Sequence, residues 1–355
     1  MKVYIYKGGQ SLVAKSGVGS AIRHQEKMLQ AAGVIVTDIW KEADIVQINT
    51  VLPDSPLVAQ RARRQGKKVV YYGHSTMEDF KNSFIGSNLV APLFKKWIRH
   101  CYRQGDVVIT PTEYSRKLLM SYGLHRKVYS LTNGVDTDFF HKTEQASGQF
   151  RVLFHIPVDK KVVISAGHLI HRKGIEDFLE MAKRMPDIIF LWFGGGNNAL
   201  IPAEIKKAVA EKPENVIFAG FQPSGILRDA YCGADAFAFF SYEETEGIVV
   251  LEALSCEIPV IVRDIPVYEG WLTDGEQVRK ARNPDSYEQA VRDILYEEPR
   301  EKVRRRIRAG RALAEEHSMK VTGEKLYQIE HNVSSQLMTA CTHTGGTGIH
   351  RLEIT

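Results

Sequence analysis

The chain has 355 residues, of which 44% are hydrophobic and 25% are charged, and it carries a mildly basic net charge of +5. This length and composition are typical of a globular protein with two domains, each with its own core. Its four cysteines lie far apart without C-x-x-C spacing, and its apolar stretches are shorter than the ~18 residues of a membrane span. We therefore expect no zinc site, no disulfide framework, no leader peptide and no membrane-spanning helix.

Short β-branched runs alternate with helix-like patterns through the first half of the chain. These runs are VYIY near the N-terminus, IVQI at 45–48, KVVYY at 68–72, DVVIT at 106–110 and KVYSL at 127–131. Strands that alternate with helices are the pattern of a parallel sheet. After a polar stretch around 141–160 the alternation starts again with KVVISAG and continues to PVIV. We therefore predict an α/β protein of two doubly wound, Rossmann-like domains, 1–150 and 151–333.

The C-terminal part of the chain is predicted to contain helices followed by a tail. Residues 284–333 follow helical patterns and are assigned to the second domain. From about residue 334 the composition turns to Ser, Thr, Gly and His with little periodicity. Such a composition predicts a flexible tail over 334–355.

A glycine-rich segment, KGGQSLVAKSGVGS, follows the first predicted strand and leads into a helix. Ligands of open α/β sheets bind beyond the carboxyl ends of the strands, so segments in this position are the most informative. Gly17 and Gly19 would let backbone N–H groups approach an anion at the helix N-terminus. The spacing is not that of a dinucleotide-binding fingerprint, and a plain turn is an equally good interpretation.

A second candidate, HRKG, follows the strand KVVISAG. Arg172 and Lys173 are adjacent cations at a strand's carboxyl end and beside a helix N-terminus. A guanidinium binds phosphate as a fork and an ammonium binds it as a point charge, so the pair could clamp a diphosphate. The alternative is a pair of solvated loop charges.

A third candidate, YEETEGIVVLEALS, places carboxylates around the start of an apolar helix. Gly247 lies at the helix entry, so the N–H groups of Gly247, Ile248 and Val249 would point into a cleft. Glu252 lies one turn into the helix, and a buried carboxylate of this kind needs hydrogen-bond donors, such as two neighbouring hydroxyl groups. Glu244 could reach the same cleft from the loop. Alternatively, Glu252 is a structural acid and the loop acids are solvated.

These motifs resemble those of a known family. The stretch EETEGIVVLEALSCEIPVIV resembles the E-x7-E signature of retaining GT-B glycosyltransferases of family four, with Glu244 and Glu252 as its two acids. SGVG, PTEYS at 111–115, NGVDTDFF at 133–140 and HRKG occur in the order that the family shows, and the similarity spans about residues 1–333. The stretch YGHSTMEDFKNSFIGSNLVAPLF at 72–94 is similar to bacterial enzymes that glycosylate diacylglycerol or glucosyl-diacylglycerol.

The resemblance implies a GT-B fold in which two domains face a cleft and a hexose moves from a UDP-sugar with retention. It implies no metal and no cofactor beyond the UDP-hexose substrate. Arg172 and Lys173 would stabilise the leaving diphosphate, Glu252 would hold the ribose hydroxyls, and Glu244 would hold the donor sugar. His74 would lie near the transferred sugar. Further residues implied are Gly17, Gly19, Gly167, Gly247, Ile248 and Val249 on the donor side and Ser75, Glu113 and Asn133 on the acceptor side.

Two positions depart from the family pattern. Thr245 and Glu246 stand where the family usually has a small residue and an aromatic one before the glycine. Ser75 follows His74 where an acid is usual.

The segment NLVAPLFKKWIRHCYRQ is predicted to form an amphipathic helix. One face would contain Val90, Leu93, Phe94, Trp97, Ile98 and Cys101, which have helical spacing. A membrane-association role is assigned to Lys95, Lys96, Trp97, Arg99 and Arg103. Such a helix either packs on its own domain or lies against an anionic bilayer. A lipid acceptor would favour the bilayer, which predicts a cytoplasmic protein peripheral to the inner face of the cell membrane.

The sequence therefore predicts a hexosyltransferase that moves glucose or galactose from a UDP-sugar to diacylglycerol or glucosyl-diacylglycerol. One alternative is a soluble family-four enzyme that acts on a polysaccharide or a small glycoside. Another is a nucleotide-sugar-binding protein without activity. A nucleic-acid partner is not expected, because aromatic residues are not interleaved with the basic runs.

Overall fold

The computed structural model describes residues 1–9, 17–195 and 201–343 of the chain. Two six-stranded sheets form the centres of two domains, and every pair of neighbouring strands in both is parallel. The predicted α/β architecture of two doubly wound domains is thus confirmed.

The first sheet has the order β2-β1-β3-β4-β5-β6 and the second has the order β12-β11-β10-β7-β8-β9. The first six strands are β1 Lys2–Tyr6, β2 Ile35–Val36, β3 Ile45–Ile48, β4 Lys68–Tyr72, β5 Val107–Thr110 and β6 Lys127–Ser130. The second six are β7 Lys161–Ala166, β8 Ile188–Phe193, β9 Val216–Gly220, β10 Ala236–Phe239, β11 Val260–Arg263 and β12 Arg279–Ala281.

Helices cover both faces of each sheet, which explains why the central strands are continuous apolar runs. Those of the first half are α1 Gly17–Ala31, α2 Ser55–Arg64, α3 Met77–Phe80, α4 Ser87–Tyr102 and α5 Glu113–Ser121. The others are α6 Glu144–Leu153, α7 Ile175–Arg184, α8 Ala203–Ala210, α9 Ser224–Gly233, α10 Ile248–Ser255, α11 Pro284–Arg292, α12 Arg300–Glu316 and α13 Met319–His343. None of the described helices is both long enough and apolar enough to cross a membrane.

The predicted division after residue 150 falls inside α6. Phe150, on this helix, is buried in the core of the second sheet together with Tyr231 and Phe237. The side chain is therefore already part of the second domain. Burial of the large apolar surface of Phe150 stabilises the packing of α6 against that core.

The last helix corrects the assignment of all terminal helices to the second domain. Leu326 and Val333 of α13 are buried in the core of the first domain with Met28 of α1. A Cβ on Gly323 would lie 3.1 Å from the Met28 carbonyl oxygen, so the two helices approach closely where this residue has no side chain. The helix also continues to His343, past residue 334, where a tail was predicted to begin. The rest of that tail lies outside the described residues.

Candidate functional site

The carboxyl end of β7 leads directly into the predicted HRKG motif. His171–Lys173 form one turn of 3-10 helix, and Gly174 ends it with a φ of 72° before α7 begins. This conformation favours glycine. A Cβ at Gly174 would also lie only 2.3 Å from the Phe240 carbonyl oxygen. The motif is therefore packed tightly against the chain that follows β10.

Lys173 and Glu244 form an ion pair in the second domain, and the Ser241 hydroxyl donates to the same carboxylate over 2.6 Å. Both charged side chains are close to nine-tenths buried. Burial alone would raise the pKa of Glu244, but the charges of Lys173 and Arg172 outweigh it and hold that pKa below its usual value. Gly167 makes room for the lysine, because a Cβ there would lie 3.3 Å from the Lys173 Cγ.

Arg172 bridges the two domains. Its Nη1 lies 2.7 Å from the Asp79 carboxylate of the first domain and donates to the Glu243 carbonyl oxygen over 2.8 Å. Its Nε donates to the Ser83 hydroxyl of the first domain over 3.1 Å. The guanidinium is also 4.0 Å from Glu244. The two predicted cations therefore converge on one cluster that includes acids from both domains.

The predicted helix entry and its buried acid are both present. Gly247 precedes α10 with a φ of 91°, and Ile248 and Val249 open the helix. Glu252 is 8% exposed, and its carboxylate accepts from the Tyr231 hydroxyl over 3.3 Å. Burial raises the pKa of Glu252 to about 7, opposed by the Tyr231 hydroxyl and the charge of Arg23. Glu252 is thus a buried acid close to the start of α10.

The loop between β10 and α10 contacts the first domain along its length. Thr112 donates to the Thr245 carbonyl oxygen over 2.8 Å, and the Tyr114 hydroxyl donates to Glu243 over 2.8 Å. Glu246 is 3% exposed and accepts from the side chain of Asn133 over 2.6 Å. The acids of this loop are therefore not solvated charges, and the loop joins the domains.

Glu246 is bonded to Asn133, a residue that was predicted to lie on the acceptor side. Besides its side-chain bond, Asn133 donates its backbone N–H to Glu246, and the Thr132 hydroxyl donates to the same carboxylate. Burial raises the pKa of Glu246 to about 7, although all these donors favour the ionised form. Asn133 thus takes part in the contact between the domains, and its acceptor-side role stays a prediction. The sequence signal was the unusual acid at 246, but nothing in it identified the partner.

His74 lies at the carboxyl end of β4. Its Nε2 is 2.9 Å from the Asn49 side-chain oxygen, and its ring stacks on Tyr72. Burial lowers the pKa of His74 to about 4, so the imidazole is uncharged at pH 7. Asn49 also accepts from Gln25 of α1 over 2.8 Å. A buried polar chain therefore fixes the ring of His74.

The remaining predicted residues have different surroundings. The Ser75 backbone exchanges two hydrogen bonds with the Tyr102 hydroxyl. Glu113 forms a forked ion pair with Arg116 on the exposed first turn of α5, and its acceptor-side role stays a prediction. Gly17 and Gly19 lie in the first turn of α1, while residues 10–16 of the glycine-rich segment lie outside the described residues.

Two family models match the chain: Glycosyltransferase Family 4 over residues 20–139 and Glycosyl transferases group 1 over residues 149–313. A processive diacylglycerol alpha-glucosyltransferase of Acholeplasma laidlawii is 37% identical over 337 residues, which cover 94% of this chain and 98% of the relative. The chain belongs to family four of the glycosyltransferases. The family predicted from the E-x7-E motif is confirmed.

Other similar proteins agree with this assignment. An alpha-galactosylglucosyldiacylglycerol synthase of Streptococcus pneumoniae is 28% identical and covers 72% of this chain and 71% of its own. A solved sucrose-phosphate synthase from Thermosynechococcus elongatus has a TM-score of 0.79 and 17% identity, covering 94% of this chain and 99% of that one. Anabaena Alr3699/HepE in complex with UDP-glucose has a TM-score of 0.71 and 16% identity, covering 94% and 100%. The predicted GT-B fold is confirmed.

The raised pKa of Glu252 leads to a test of its expected contact with ribose hydroxyls. Hydroxyl groups donate to the ionised carboxylate, so donor affinity should rise as pH increases through the pKa near 7. If only the ionised form binds, UDP-glucose should bind about tenfold more tightly at pH 8 than at pH 6. Calorimetric titration at both pH values measures this ratio.

The control is Glu252→Gln, in which this pH-dependent step should disappear. The Glu243 and Glu246 carboxyls also have pKa values of about 7, and both remain in this variant. An equal pH dependence in wild type and variant would contradict the assignment of Glu252.

Proposed function

We propose that this chain transfers a hexose from a UDP-sugar to a lipid of the diacylglycerol type, with retention at the anomeric carbon. The observation that carries the proposal is the buried Lys173–Glu244 pair, which lies beside Arg172 where the two domains meet. The names of the Acholeplasma and Streptococcus relatives support a lipid acceptor. UDP-glucose bound to the Anabaena structure supports a UDP-sugar as the donor.

Departure of the nucleoside diphosphate builds negative charge on its phosphate oxygens. Fixed positive groups at that place stabilise the transition state more than the ground state. Lys173 is held by Glu244, whose carboxylate also accepts from the Ser241 hydroxyl, and Arg172 is held by Asp79, so the structure fixes the orientation of both cations. Under the proposal, the diphosphate oxygens would accept from the N–H groups of Arg172 and Lys173 that pair with Asp79 and Glu244 in the structure.

The other donor contacts follow from the same arrangement. The N–H groups at the start of α10 would favour the anionic diphosphate, with Gly17 and Gly19 approaching it from the first domain. Glu252 would accept from the ribose hydroxyls, and Glu244 would contact the hexose. His74, being uncharged, would exchange a neutral hydrogen bond with the transferred sugar. No cofactor is required in this scheme.

Loss of the Lys173 ammonium tests the proposed role most simply. Lys173→Ala should lower kcat by roughly 10² to 10³, the scale of losing one preorganised donor to developing charge. Activity is measured with UDP-glucose or UDP-galactose and vesicles that contain diacylglycerol or glucosyl-diacylglycerol, and the product lipid is identified by mass spectrometry. This assay also tests the proposed function and the choice of sugar.

The matched control is Lys183→Ala, which removes an exposed lysine from the last turn of α7. It should keep wild-type turnover. Unchanged turnover in Lys173→Ala would remove this residue from the mechanism. Wild-type activity on a soluble glycoside with none on lipid would contradict the lipid acceptor.

A surface for the lipid is formed by the start of α4 and the loop before it. Exposed apolar side chains here are Phe84, Ile85, Leu89, Val90 and Leu93, of which Leu89 is 87% exposed; we call this set the apolar patch. Adjacent apolar side chains exposed in this number are typical of protein or membrane contacts. Ser83, next to the patch, accepts from Arg172 and donates to the Asp79 carbonyl oxygen, so the patch adjoins the proposed reaction cleft.

The patch corrects the predicted orientation of this helix. Val90 and Leu93 were predicted to share one helix face with Trp97, yet both are exposed, while Trp97 is partly buried and donates to the Val51 carbonyl oxygen. Lys95 lies 4.4 Å from the centre of the Tyr122 ring.

Arg103 donates to the Gly123 carbonyl oxygen, and Arg99 is also partly buried, whereas Lys96 is exposed. The basic side chains therefore contribute less to an outer surface than predicted. Under the proposal, apolar insertion supplies more of the membrane affinity, and the enzyme acts as a peripheral protein on the inner face of the cell membrane.

Polar substitution of the patch tests this surface. Leu89→Ser combined with Leu93→Ser should weaken binding to phosphatidylglycerol vesicles at least about tenfold, since burial of each leucine contributes ~2 kcal/mol. Co-sedimentation measures the binding, and UDP-glucose affinity should stay unchanged.

Val158→Ser, at a residue of the second domain that is 90% exposed, is the control and should bind vesicles like wild type. Unaltered vesicle binding by the double variant would contradict insertion through the patch. Binding that is equally absent from wild type, on anionic and neutral vesicles alike, would contradict membrane association itself.

A further inference from the structure

A buried arginine connects several segments of the second domain. Arg263 ends β11 and is 4% exposed. Its Nε donates to the Phe240 carbonyl oxygen over 3.0 Å, and its Nη1 donates to the Arg282 carbonyl oxygen over 2.8 Å. Its Nη2 forms an ion pair with Asp177. Each nitrogen of this guanidinium therefore has a different partner.

A tyrosine completes the arrangement. The Tyr242 hydroxyl donates to Asp177 over 2.6 Å, and the Arg263 Cζ lies 3.7 Å from the centre of the Tyr242 ring. Asp177 thus interacts with both Arg263 and Tyr242. The Arg263 guanidinium also stacks on the Tyr242 ring. We call Arg263, Asp177 and Tyr242 the Arg263 junction.

The junction connects the two segments that carry the proposed donor residues. Asp177 lies in the first turn of α7, four residues after Lys173. Tyr242 stands two residues before Glu244 in the loop after β10. A movement at the junction would therefore change the distance between the lysine and the carboxylate.

Backbone contacts extend the same connection. The Tyr242 N–H donates to the Arg172 carbonyl oxygen over 2.8 Å, and the Ser241 hydroxyl, which also holds Glu244, lies 3.3 Å from that oxygen. The HRKG turn and the loop between β10 and α10 are therefore held together by the Arg263 junction on one side and by the Lys173–Glu244 pair on the other.

We infer that Arg263, Asp177 and Tyr242 are positioning residues for donor binding, which place Lys173 relative to Glu244 for the nucleoside diphosphate and its sugar. The inference rests on the proposed function, because it assigns these residues to the donor site of that reaction. Lysine cannot replace the arginine, since an ammonium cannot reach two carbonyl oxygens and a carboxylate in the geometry of a guanidinium fork.

Tyr242→Phe is the mildest test, because it removes one hydroxyl from a half-exposed ring. Loss of a hydrogen bond to a charged group should weaken UDP-glucose binding by about threefold to tenfold. Arg263→Lys should weaken it by at least about tenfold. Calorimetry gives these affinities without any acceptor, so they are measurable even if no lipid product forms and the proposed function fails.

Steady-state kinetics separate positioning from a general loss of structure. Both variants should raise the KM for the donor and leave the KM for the lipid acceptor unchanged. The melting temperature of Tyr242→Phe should match wild type. In Asp177→Asn, which keeps the shape of the side chain and removes its charge, the donor KM should also rise.

The control is Arg279→Lys. Arg279 lies on the neighbouring strand β12, outside the two segments that carry the proposed donor residues. Its guanidinium also forms ion pairs, with Asp293 at 2.6 Å and Glu298 at 2.9 Å. This variant should keep wild-type donor affinity. Unchanged UDP-glucose affinity in both Tyr242→Phe and Arg263→Lys would overturn the inference, as would an equal loss in Arg279→Lys.

Discussion

A lysine buried in a protein needs a carboxylate, and the Lys173–Glu244 pair meets this need at the carboxyl end of the second sheet. Removing either partner would leave an uncompensated charge away from water. The pair therefore fixes the loop that follows β10 against the HRKG turn. That loop also provides Glu243, Thr245 and Glu246 for contacts with the first domain. The relative placement of the two domains thus depends on the same segment that carries the proposed donor residues.

Both cations of this cluster are paired with acids. Arg172 contacts Asp79 of the first domain, and Lys173 contacts Glu244 of the second. Under the proposal, a diphosphate would replace these acids as the partner of both cations, and the displaced Glu244 carboxylate would accept from hydroxyl groups of the hexose. The proposed chemistry would therefore reuse an arrangement that already stabilises the protein, with the Arg263 junction as its fixed support.

Much of the donor site could be predicted, because its residues follow directly after strands in the sequence. Strands of a doubly wound sheet present their carboxyl ends at one edge, so motifs that follow strands converge. This reasoning brought Arg172, Lys173 and Glu244 together, and the structure places them in one cluster. Glu252 was predicted to be a buried acid, and its helix entry at Gly247 is formed as expected.

The predictions from the sequence were wrong or incomplete where segments that lie far apart in the chain meet. The hydrogen bond from Asn133 to Glu246 joins residues 113 positions apart, and no spacing rule connects them. The return of α13 to the first domain depends on a complementary apolar surface around Met28, which becomes visible only after both domains are folded. Helix α4 has apolar side chains on more than one face, so periodicity alone could not decide which of them would be exposed.

Under the proposed function, Lys173 and Glu252 bind different parts of one nucleotide-sugar, the diphosphate and the ribose. A crystal structure of the chain with UDP-glucose tests it most directly. The account predicts a diphosphate oxygen within hydrogen-bond distance of the Lys173 Nζ, about 3 Å, and both ribose hydroxyls donating to the Glu252 carboxylate. A bound UDP-glucose that leaves the Lys173–Glu244 pair untouched and places its ribose away from Glu252 would contradict the account.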